Sequence, residues 1–436
     1  MSAVEFKIRR ENLMAEIGEG NIAIIASAEI RPRNRDVDFP FRQDSDFYYL
    51  TGFAESNAVA VFIPGRQQGE YLLFCSEFDA QKALWEGVHA GLEGAVEDYG
   101  ADDAFPIEDL DDILPGLLEN KARVFYPMGR DSELNHHILE WVNTLREKSR
   151  SGIRVPGEFV SLEHVLHEMR LFKSSQEIAW MRQAADISTK AHIRAMTSCR
   201  SCQYEFQVEA ELIHEFMFHG LRSPAYPSIV ASGANACILH YTENSSRLQA
   251  GDLLLIDAGA ECNYYAADIT RTFPVSGRFS QPQKLLYQLV LDAQLAAIEQ
   301  VHPGIPWNRS HEIAIEVLTA GLVDLGILSG AVSELIEEEA YKPYYMHRIG
   351  HWLGMDVHDV GDYKLDGQWR VLEVGMVLTI EPGLYIPKED TSVAPQWRGI
   401  GIRIEDDVLV TDSGCEVLTD AAPKSIQEIE ALMQVG

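Results

Sequence analysis

The stretch DAGAECNYYAADITRTF, residues 257 to 273, constrains the fold most, because it is typical of a β-hairpin that carries two carboxylates. Asp257 follows the apolar run LLLI, and Asp268 comes eleven positions later. A two-residue turn at Cys262 and Asn263 would set Asp257 directly opposite Asp268, with cross-strand partners whose numbers sum to 525. Side chains paired in this way lie roughly 5 Å apart. Like charges at that distance repel unless a cation lies between them, so the hairpin predicts a site for positive charge.

Two further stretches place charge where a strand should be apolar. In MVLTIEPGLYIP, the alternation of strand residues puts Glu381 on one face with Val377. In RGIGIRIEDDVLV, Arg403 and Glu405 share the face opposite to the three isoleucines. Both glutamates are therefore expected on an inner face of a sheet.

A histidine cluster lies just before these strands, in MHRIGHWLGMDVHDV. It holds His347, His351 and His358, and Gly350 and Gly354 leave room for close backbone approach. One acidic residue at a strand end is more often an exposed turn former, and one histidine is more often structural. The joint pattern points to a functional site instead, because four buried carboxylates would strongly destabilise the fold unless cations compensate their charge.

Divalent metal is the economical explanation of this set, and four carboxylates need two ions. Oxygen ligands with one imidazole suit hard to borderline cations such as Mn²⁺, whereas the cysteines of structural zinc are missing. Two adjacent metals activate water and polarise a carbonyl, which predicts a hydrolase. The chain has no G-x-S-x-G elbow and no GxxxxGK[ST] phosphate loop.

The charge balance narrows the partners. The 436 residues carry 36 Lys and Arg against 67 Asp and Glu, a formal net charge of −31. Nucleic acid and anionic membranes both need a basic surface, so neither is expected as a partner. The start of the chain has no apolar signal core, and no apolar run approaches the ~18 residues that span a bilayer. We therefore expect a cytoplasmic protein.

The cysteines are too sparse for a disulfide framework, so free thiols are expected. Cys199 and Cys202 form a CxxC within helical surroundings, and no second CxxC completes a zinc site. A redox or metal role for this pair is therefore disfavoured. The six cysteines are Cys75, Cys199, Cys202, Cys237, Cys262 and Cys415.

Two domains are predicted, with residues 1–170 as an α/β domain and residues 171–436 as an α+β domain. The first alternates helical stretches with the apolar runs NIAIIASA, AVAVFIP, YLLFCS and VFYP. The second begins with a capping box from Ser174 to Glu177. It continues with three more amphipathic helices, separated by the strand-rich blocks that carry the charged residues.

The motifs IDAG, ADITRTF, HWLGMDVHD, TIEPG and GIGIRIEDD together resemble, in order and spacing, the pita-bread metallopeptidases. This family includes aminopeptidase P, prolidase and methionine aminopeptidase. FPFRQDSDFYYLTGF and VLHEMRLFKSSQEI also look like the N-terminal domain and linker of the bacterial Xaa-Pro aminopeptidases. The resemblance covers nearly the whole chain and implies a catalytic domain of pita-bread fold.

The resemblance implies a role for each motif residue. Asp257 would be a bidentate ligand of one metal, Asp268 and Glu405 would bridge both, and His351 and Glu381 would complete the second. Glu381 would also take a proton from the attacking water. His240 and His358 would line the substrate site, bind the peptide and stabilise the tetrahedral intermediate or its leaving amine. His347 and Arg403 match positions that lie behind the metal ligands or on the proline side of the substrate.

The resemblance also implies peptide substrates with proline second and a homo-oligomer such as a tetramer. The alternatives are prolidase, a creatinase-like hydrolase that works without metals, and a non-catalytic module that binds proteins. The last two usually lose ligands, and the extra N-terminal domain disfavours methionine aminopeptidase. Arg348 stands where relatives usually carry a small residue, and it could alter access to the metals.

A dipeptidase must bind the free carboxylate of proline with a cation, whereas an aminopeptidase must leave that end of the site open. Arg403 is the main candidate for such a cation. The N-terminal stretch and the acidic chain favour the aminopeptidase.

Overall fold

A computed structural model describes residues 3 to 434 of the chain. The chain divides into two compact units, Met1–Met169 and Arg170–Gly436.

A six-stranded mixed sheet forms the centre of the first unit, with strand order β4-β3-β2-β1-β5-β6. Only the β1–β2 and β2–β3 pairs are antiparallel. The strands are β1 Ile22–Ala26, β2 Val59–Phe62, β3 Tyr71–Cys75, β4 Asp103–Pro106, β5 Arg123–Tyr126 and β6 Glu158–Ser161. The helices are α1 Ala3–Ile17, α2 Ser45–Thr51, α3 Ala80–Glu86, α4 Gly91–Glu97, α5 Leu110–Leu118 and α6 Ser132–Glu147, and α7 Glu163–Leu171 runs across the division between the units.

The predicted α/β character of this region is confirmed, and the four apolar runs form β1, β2, β3 and β5. Both edge strands, β4 and β6, went unpredicted because their residues are exposed or half-buried and show no apolar run. The core beneath the sheet is built from strand residues such as Ile24 and Leu72 and helix residues such as Leu114 and Ile138.

Pairs of long helices pack against small antiparallel sheets in the second unit. The helices are α8 Ser175–Ser198, α9 Glu205–Phe218, α10 Gln281–Ile298, α11 Arg309–Asp324, α12 Val332–Glu337 and α13 Ile426–Leu432. The longer strands are β7 Ile229–Ser232, β8 Leu253–Asp257, β11 Thr270–Pro274, β14 Val377–Ile380, β15 Gly383–Ile386, β16 Ile400–Arg403, β17 Asp406–Thr411 and β18 Gly414–Val417. The two-residue strands are β9 Glu261–Cys262, β10 Tyr265–Ala266, β12 Lys364–Leu365 and β13 Gln368–Trp369.

Three of these sheets carry the charged strand ends. Their orders are β11-β8-β7, β14-β17-β18 and β15-β16. The capping box of α8 is present as predicted, with Ser174 and Glu177 each bonding to the other's backbone N–H. The α+β character of this unit is therefore confirmed.

The predicted register of the opening hairpin is wrong by two residues. Tyr265 pairs with Cys262 and Thr270 pairs with Asp257, so partner numbers sum to 527 rather than 525. The turn residues are Asn263 and Tyr264, both with positive φ, at 50° and 71°. Two positive φ values are typical of a type I′ turn. Bulky residues such as tyrosine rarely adopt a positive φ, so the sequence did not predict a turn at Tyr264.

Asp257 is therefore not opposite Asp268, and its partner is Thr270. The two aspartates still point to the same side, because a shift of two residues preserves the face of a strand. They are diagonal neighbours, and the position opposite Asp268 belongs to Gly259.

The CxxC is structural. Cys199 begins a 3₁₀ turn and is buried, and burial raises its pKa to about 12, so the thiol stays protonated at neutral pH. All six cysteines are free. Between residues 3 and 434, no helix is both long and apolar enough to cross a membrane.

Candidate metal centre and substrate pocket

A cavity of about 360 Å³ in the second unit brings together all nine residues that the sequence singled out. Its wall also contains Leu239, Arg348, Gly350 and Tyr363. The nine are Asp257, Asp268, Glu381, Glu405, His240, His347, His351, His358 and Arg403.

The ends of strands place the charged members of this set. Asp257 is the last residue of β8, Glu381 directly follows β14, and Arg403 ends β16. Asp268 and Glu405 lie just before β11 and β17. Because these strands pair within neighbouring sheets, their ends deliver carboxylates to one point. The histidines come from irregular chain segments between the regular elements.

Asp268, His351 and Glu405 form the tightest group. Each offers one ligand atom, and the three atoms lie within 4.8 Å of one another. His351 Nε2 is 3.5 Å from Asp268 Oδ2 and 3.7 Å from Glu381 Oε1. The hydroxyl of Tyr226 donates to Asp257 Oδ1 at 2.6 Å and also contacts Oδ1 of Asp268, which draws both aspartates to the same group.

The ring of His351 is oriented for ligation. Its Nδ1 lies 2.9 Å from the carbonyl oxygen of Trp352, so Nδ1 carries the proton and donates it there. This tautomer leaves the Nε2 lone pair facing Asp268 and Glu381. A hydrogen bond from the second ring nitrogen to a carbonyl is typical of histidines that bind metals.

The electrostatics of the group favour bound cations. Burial, followed by the charges of neighbouring carboxylates, raises the pKa of Glu405 well above its usual range. Burial also raises the pKa of Glu381 to about 7 and that of Asp257 to about 6, although Arg403 works against both. Burial tends to raise the pKa of Asp268, but the hydrogen bond and charge of His351 outweigh burial, so the pKa of Asp268 is lowered. Desolvated carboxylates that repel one another fit divalent ions, so the donor set matches the predicted chemistry.

Two family models match the chain. The model "Aminopeptidase P, N-terminal domain" matches residues 6–126, and the model of metallopeptidase family M24 matches residues 179–412. The chain belongs to metallopeptidase family M24.

Two curated relatives extend over nearly the full chain. The Xaa-Pro aminopeptidase of Haemophilus influenzae is 46% identical and covers 98% of this chain and 97% of its own length. The Xaa-Pro aminopeptidase of Escherichia coli is 44% identical, and the match covers 99% of this chain and 98% of the relative's length.

The solved structures agree with the fold. An aminopeptidase of Pseudomonas aeruginosa is 56% identical with a TM-score of 0.99, covering 100% of this chain and 98% of that one. Zinc-substituted Escherichia coli aminopeptidase P in complex with product is 43% identical with a TM-score of 0.97, covering 100% and 99%. The predicted pita-bread fold and family resemblance are confirmed. Membership of family M24 and the donor set together support divalent metal ions as cofactors.

Several residues of this M24 site escaped the sequence analysis. Thr270 donates to Glu405 Oε2 at 2.6 Å, and both oxygens of Asp407 accept from the backbone N–H of Asp268. Thr270 is the cross-strand partner of Asp257, so the correct register would have indicated it. Tyr226 has no sequence signal, since it reaches the aspartates from a distant loop.

Arg403 and His347 are linked through Tyr385. Arg403 donates to Asp257 Oδ2 at 2.6 Å, to Thr270 Oγ1 at 3.1 Å and to the hydroxyl of Tyr385 at 3.0 Å. That hydroxyl lies 2.8 Å from His347 Nε2, and His347 Nδ1 lies 2.8 Å from the carbonyl oxygen of Arg348. Burial, followed by the charge of Arg403, lowers the pKa of His347 to about 3. The imidazole is therefore neutral, with both nitrogens engaged.

The remaining members of the M24 site line the cavity more openly. The ring of His358 lies 4.4 Å, centre to centre, from that of His351. His240 is exposed on the segment that follows the 3₁₀ turn Gly233–Cys237. Arg348 reaches the cavity wall, with its guanidinium 5.5 Å from the ring centre of Trp369.

Proposed function

We propose that this chain is a metal-dependent aminopeptidase that hydrolyses the bond between an N-terminal residue and a following proline. The observation that carries the proposal is one cavity in which four carboxylates, four histidines and two arginines meet. Two Xaa-Pro aminopeptidases that are 44% and 46% identical over nearly the whole chain support the substrate class.

Five side chains would hold two divalent ions, which we propose to be Mn²⁺. When bound, such a pair lowers the pKa of a water molecule and polarises the carbonyl of the scissile bond. Asp257 would hold one ion, His351 and Glu381 would hold the other, and Asp268 and Glu405 would serve both. The convergence of Asp268, His351 and Glu405 supports this assignment.

Glu381 would accept the proton of the attacking water. Its carboxylate follows β14 and enters the cavity between two histidines, with Oε1 3.7 Å from His351 Nε2 and Oε2 3.9 Å from His347 Nδ1. A base in this position lies on the same side as the metal ligands, so water held there is within its reach.

His240 and His358 would bind the peptide and stabilise the tetrahedral intermediate, because both line the cavity and neither belongs to the converged ligand group. His347 has no free ring nitrogen, so it would offer its ring face to the proline side of the substrate. Arg403 would hold Asp257 in place.

Prolidase is the second candidate, since the same metal ligands serve both activities. A dipeptidase needs a cation free to bind the carboxylate of proline. Arg403, the main candidate, already donates to Asp257, Thr270 and Tyr385. This engagement favours the aminopeptidase. Cytoplasmic location and a homo-oligomeric state such as a tetramer remain predictions.

Metal removal tests the proposal. Exhaustive chelation should abolish hydrolysis of Ala-Pro-Ala, and addition of Mn²⁺ should restore it, with two ions bound per chain by elemental analysis. Full activity in the demetallated protein would contradict the proposal and would favour the creatinase-like hydrolase instead.

A further inference from the structure

The carboxylate of Glu205, the first residue of α9, is fully buried and has no cationic partner among the described residues. Its Oε1 accepts from the backbone N–H and the hydroxyl of Ser232, both at 2.7 Å, and from Asn235 Nδ2 at 3.0 Å. Its Oε2 accepts from the hydroxyl of Tyr241 and the backbone N–H of Ser246, both at 2.8 Å. Five neutral donors offset the cost of burying the group.

These donors lie on both sides of the residues that line the cavity. Ser232 ends β7, and Ser246 lies on the returning chain, whereas Leu239 and His240 form the cavity wall between them. Ile238, next to this pair, is 55% exposed. Ala236 and Tyr241 are buried in a small apolar cluster, against which Cys237 and Leu239 pack. The polar anchors at either side hold the ends of the segment.

The backbone of Glu205 strengthens the same anchor. Its N–H donates to the carbonyl oxygen of Ser246 at 3.0 Å, so Ser246 is bonded to Glu205 through both of its backbone groups. Asn235 also donates to the hydroxyl of Ser246 at 2.9 Å, which closes the base of the segment. The start of α9 thus holds the two ends of segment 232–246 together.

We propose that Glu205 is a positioning residue for segment 232–246 and that it acts on catalysis through His240. This inference rests on the proposed function, because it assigns the orientation of a substrate-binding histidine to a carboxylate that does not line the cavity. Tyr241 transmits the constraint, since its hydroxyl bonds Glu205 and its backbone adjoins His240.

Glu205→Gln tests the role with little change of shape. Each carboxylate oxygen accepts one backbone N–H, from Ser232 or from Ser246. Glutamine keeps a single acceptor oxygen, so one N–H must face the amide nitrogen. The hydroxyls of Ser232 and Tyr241 can turn and accept instead, but a backbone N–H cannot. An orphaned buried donor shifts a local equilibrium on the order of tenfold.

A double-mutant cycle on kcat/KM for Ala-Pro-Ala separates a positioning role from a general one. Glu205→Gln should lower kcat/KM about tenfold in the wild-type background, mainly through KM, and by less than about twofold in His240→Ala. Tyr241→Phe, which removes one bond and keeps the ring packed, should show the same pattern with a smaller factor. An equal loss in both backgrounds would overturn the proposal.

Controls guard against a general loss of structure. Glu209→Gln removes the same charge one turn along α9 and should leave kcat/KM unchanged, because no side-chain hydrogen bond or ion pair joins Glu209 to any residue between 3 and 434. All variants should keep the metal content of the wild type. A fall in metal content with Glu205→Gln would assign Glu205 to the metal site and overturn the proposal.

Hydrogen exchange gives a readout independent of the proposed function. Amides of residues 237–248 should exchange faster in Glu205→Gln than in the wild type or in Glu209→Gln, whether or not the peptide is cleaved. If the wild-type protein cleaves no Xaa-Pro peptide and Glu205→Gln still exchanges faster than the wild type, the proposed function alone would be refuted. Unchanged exchange in this segment would refute the anchoring itself.

Discussion

Asp268 and His358 line one cavity but differ in what surrounds them. Asp268 is 5% exposed and lies against His351 and Tyr226, within the group whose ligand atoms converge. His358 lies outside that group, and its ring contacts the ring of His351. The two side chains should therefore fail in different ways when removed.

Asp268→Ala should lose bound metal together with activity, because it would remove a bridging ligand. His358→Ala should keep both ions and lower kcat by about 10²-fold or more, since a group that aids only the transition state is not needed to hold metal. Metal content measured beside the rates distinguishes the two. Loss of metal from His358→Ala would place His358 among the ligands.

His192 on α8 is fully buried outside the cavity wall. Its Nε2 lies 2.9 Å from the carbonyl oxygen of Ala258, and Nδ1 has no hydrogen-bond partner in the part of the chain that the structure describes. Burial lowers its pKa to about 4, although the bond to Ala258 works against this. Among the charged groups, Arg271 lowers the pKa further, whereas Asp268 and Asp406 raise it.

The unfolded chain binds a proton at this histidine near pH 6.5, whereas the folded chain does so only near pH 4. Its contribution to stability is therefore fully present above pH 6.5 and is lost as the pH falls from 6.5 to 4. Between these pH values the wild type should lose about 3 kcal/mol more unfolding free energy than His192→Gln, which keeps a donor for Ala258. Urea unfolding with chelator at both pH values measures this, and parallel losses would refute it.

The hairpin β8–β11 shows what an element can reveal before its structure is known. The pattern of residues predicted a hairpin with both aspartates on one face, and this holds. The register was misplaced because the turn uses Tyr264 at a φ of 71°, a conformation that its side chain disfavours. The sequence also did not predict that the two strands approach closely at Gly259, because this approach depends on the path of the chain after β8.

Gly259→Ala should disrupt this hairpin. A β-carbon there would lie 1.7 Å from the carbonyl oxygen of Ala267, which is backbone and cannot turn aside. We expect a loss of about 3 kcal/mol or more in unfolding free energy, with weaker metal binding because Asp257 and Asp268 flank the site. Gly251→Ala, where nothing lies within 4 Å, is the matched control and should change stability by less than about 0.5 kcal/mol. Equal stability of the two variants would contradict the close approach.

For the molecule as a whole, the sequence predicted the class of each domain and the charged side chains that meet in the cavity, and it named Arg348 as a residue that could alter access to the metals. The carboxylates and Arg403 lie at or next to the ends of strands, which are visible in the sequence as apolar runs bounded by a charge, and three of the four histidines are clustered in one short stretch. The supporting residues were not predictable in this way. Tyr226 and Glu205 act through contacts with distant parts of the chain, and only the folded structure brings them together.

The central claim is that this cavity removes a single residue ahead of proline and leaves the far end open. With Mn²⁺ present, kcat/KM should be highest for Ala-Pro-Ala, because Arg403 is already bonded to Tyr385 and Asp257 and is not available to bind a free carboxylate. Ala-Pro should be cleaved poorly, and Ala-Ala-Ala should be poor because it lacks the ring and the tertiary amide of proline. A clear preference for Ala-Pro over Ala-Pro-Ala would show that the chain is a prolidase and would contradict this account.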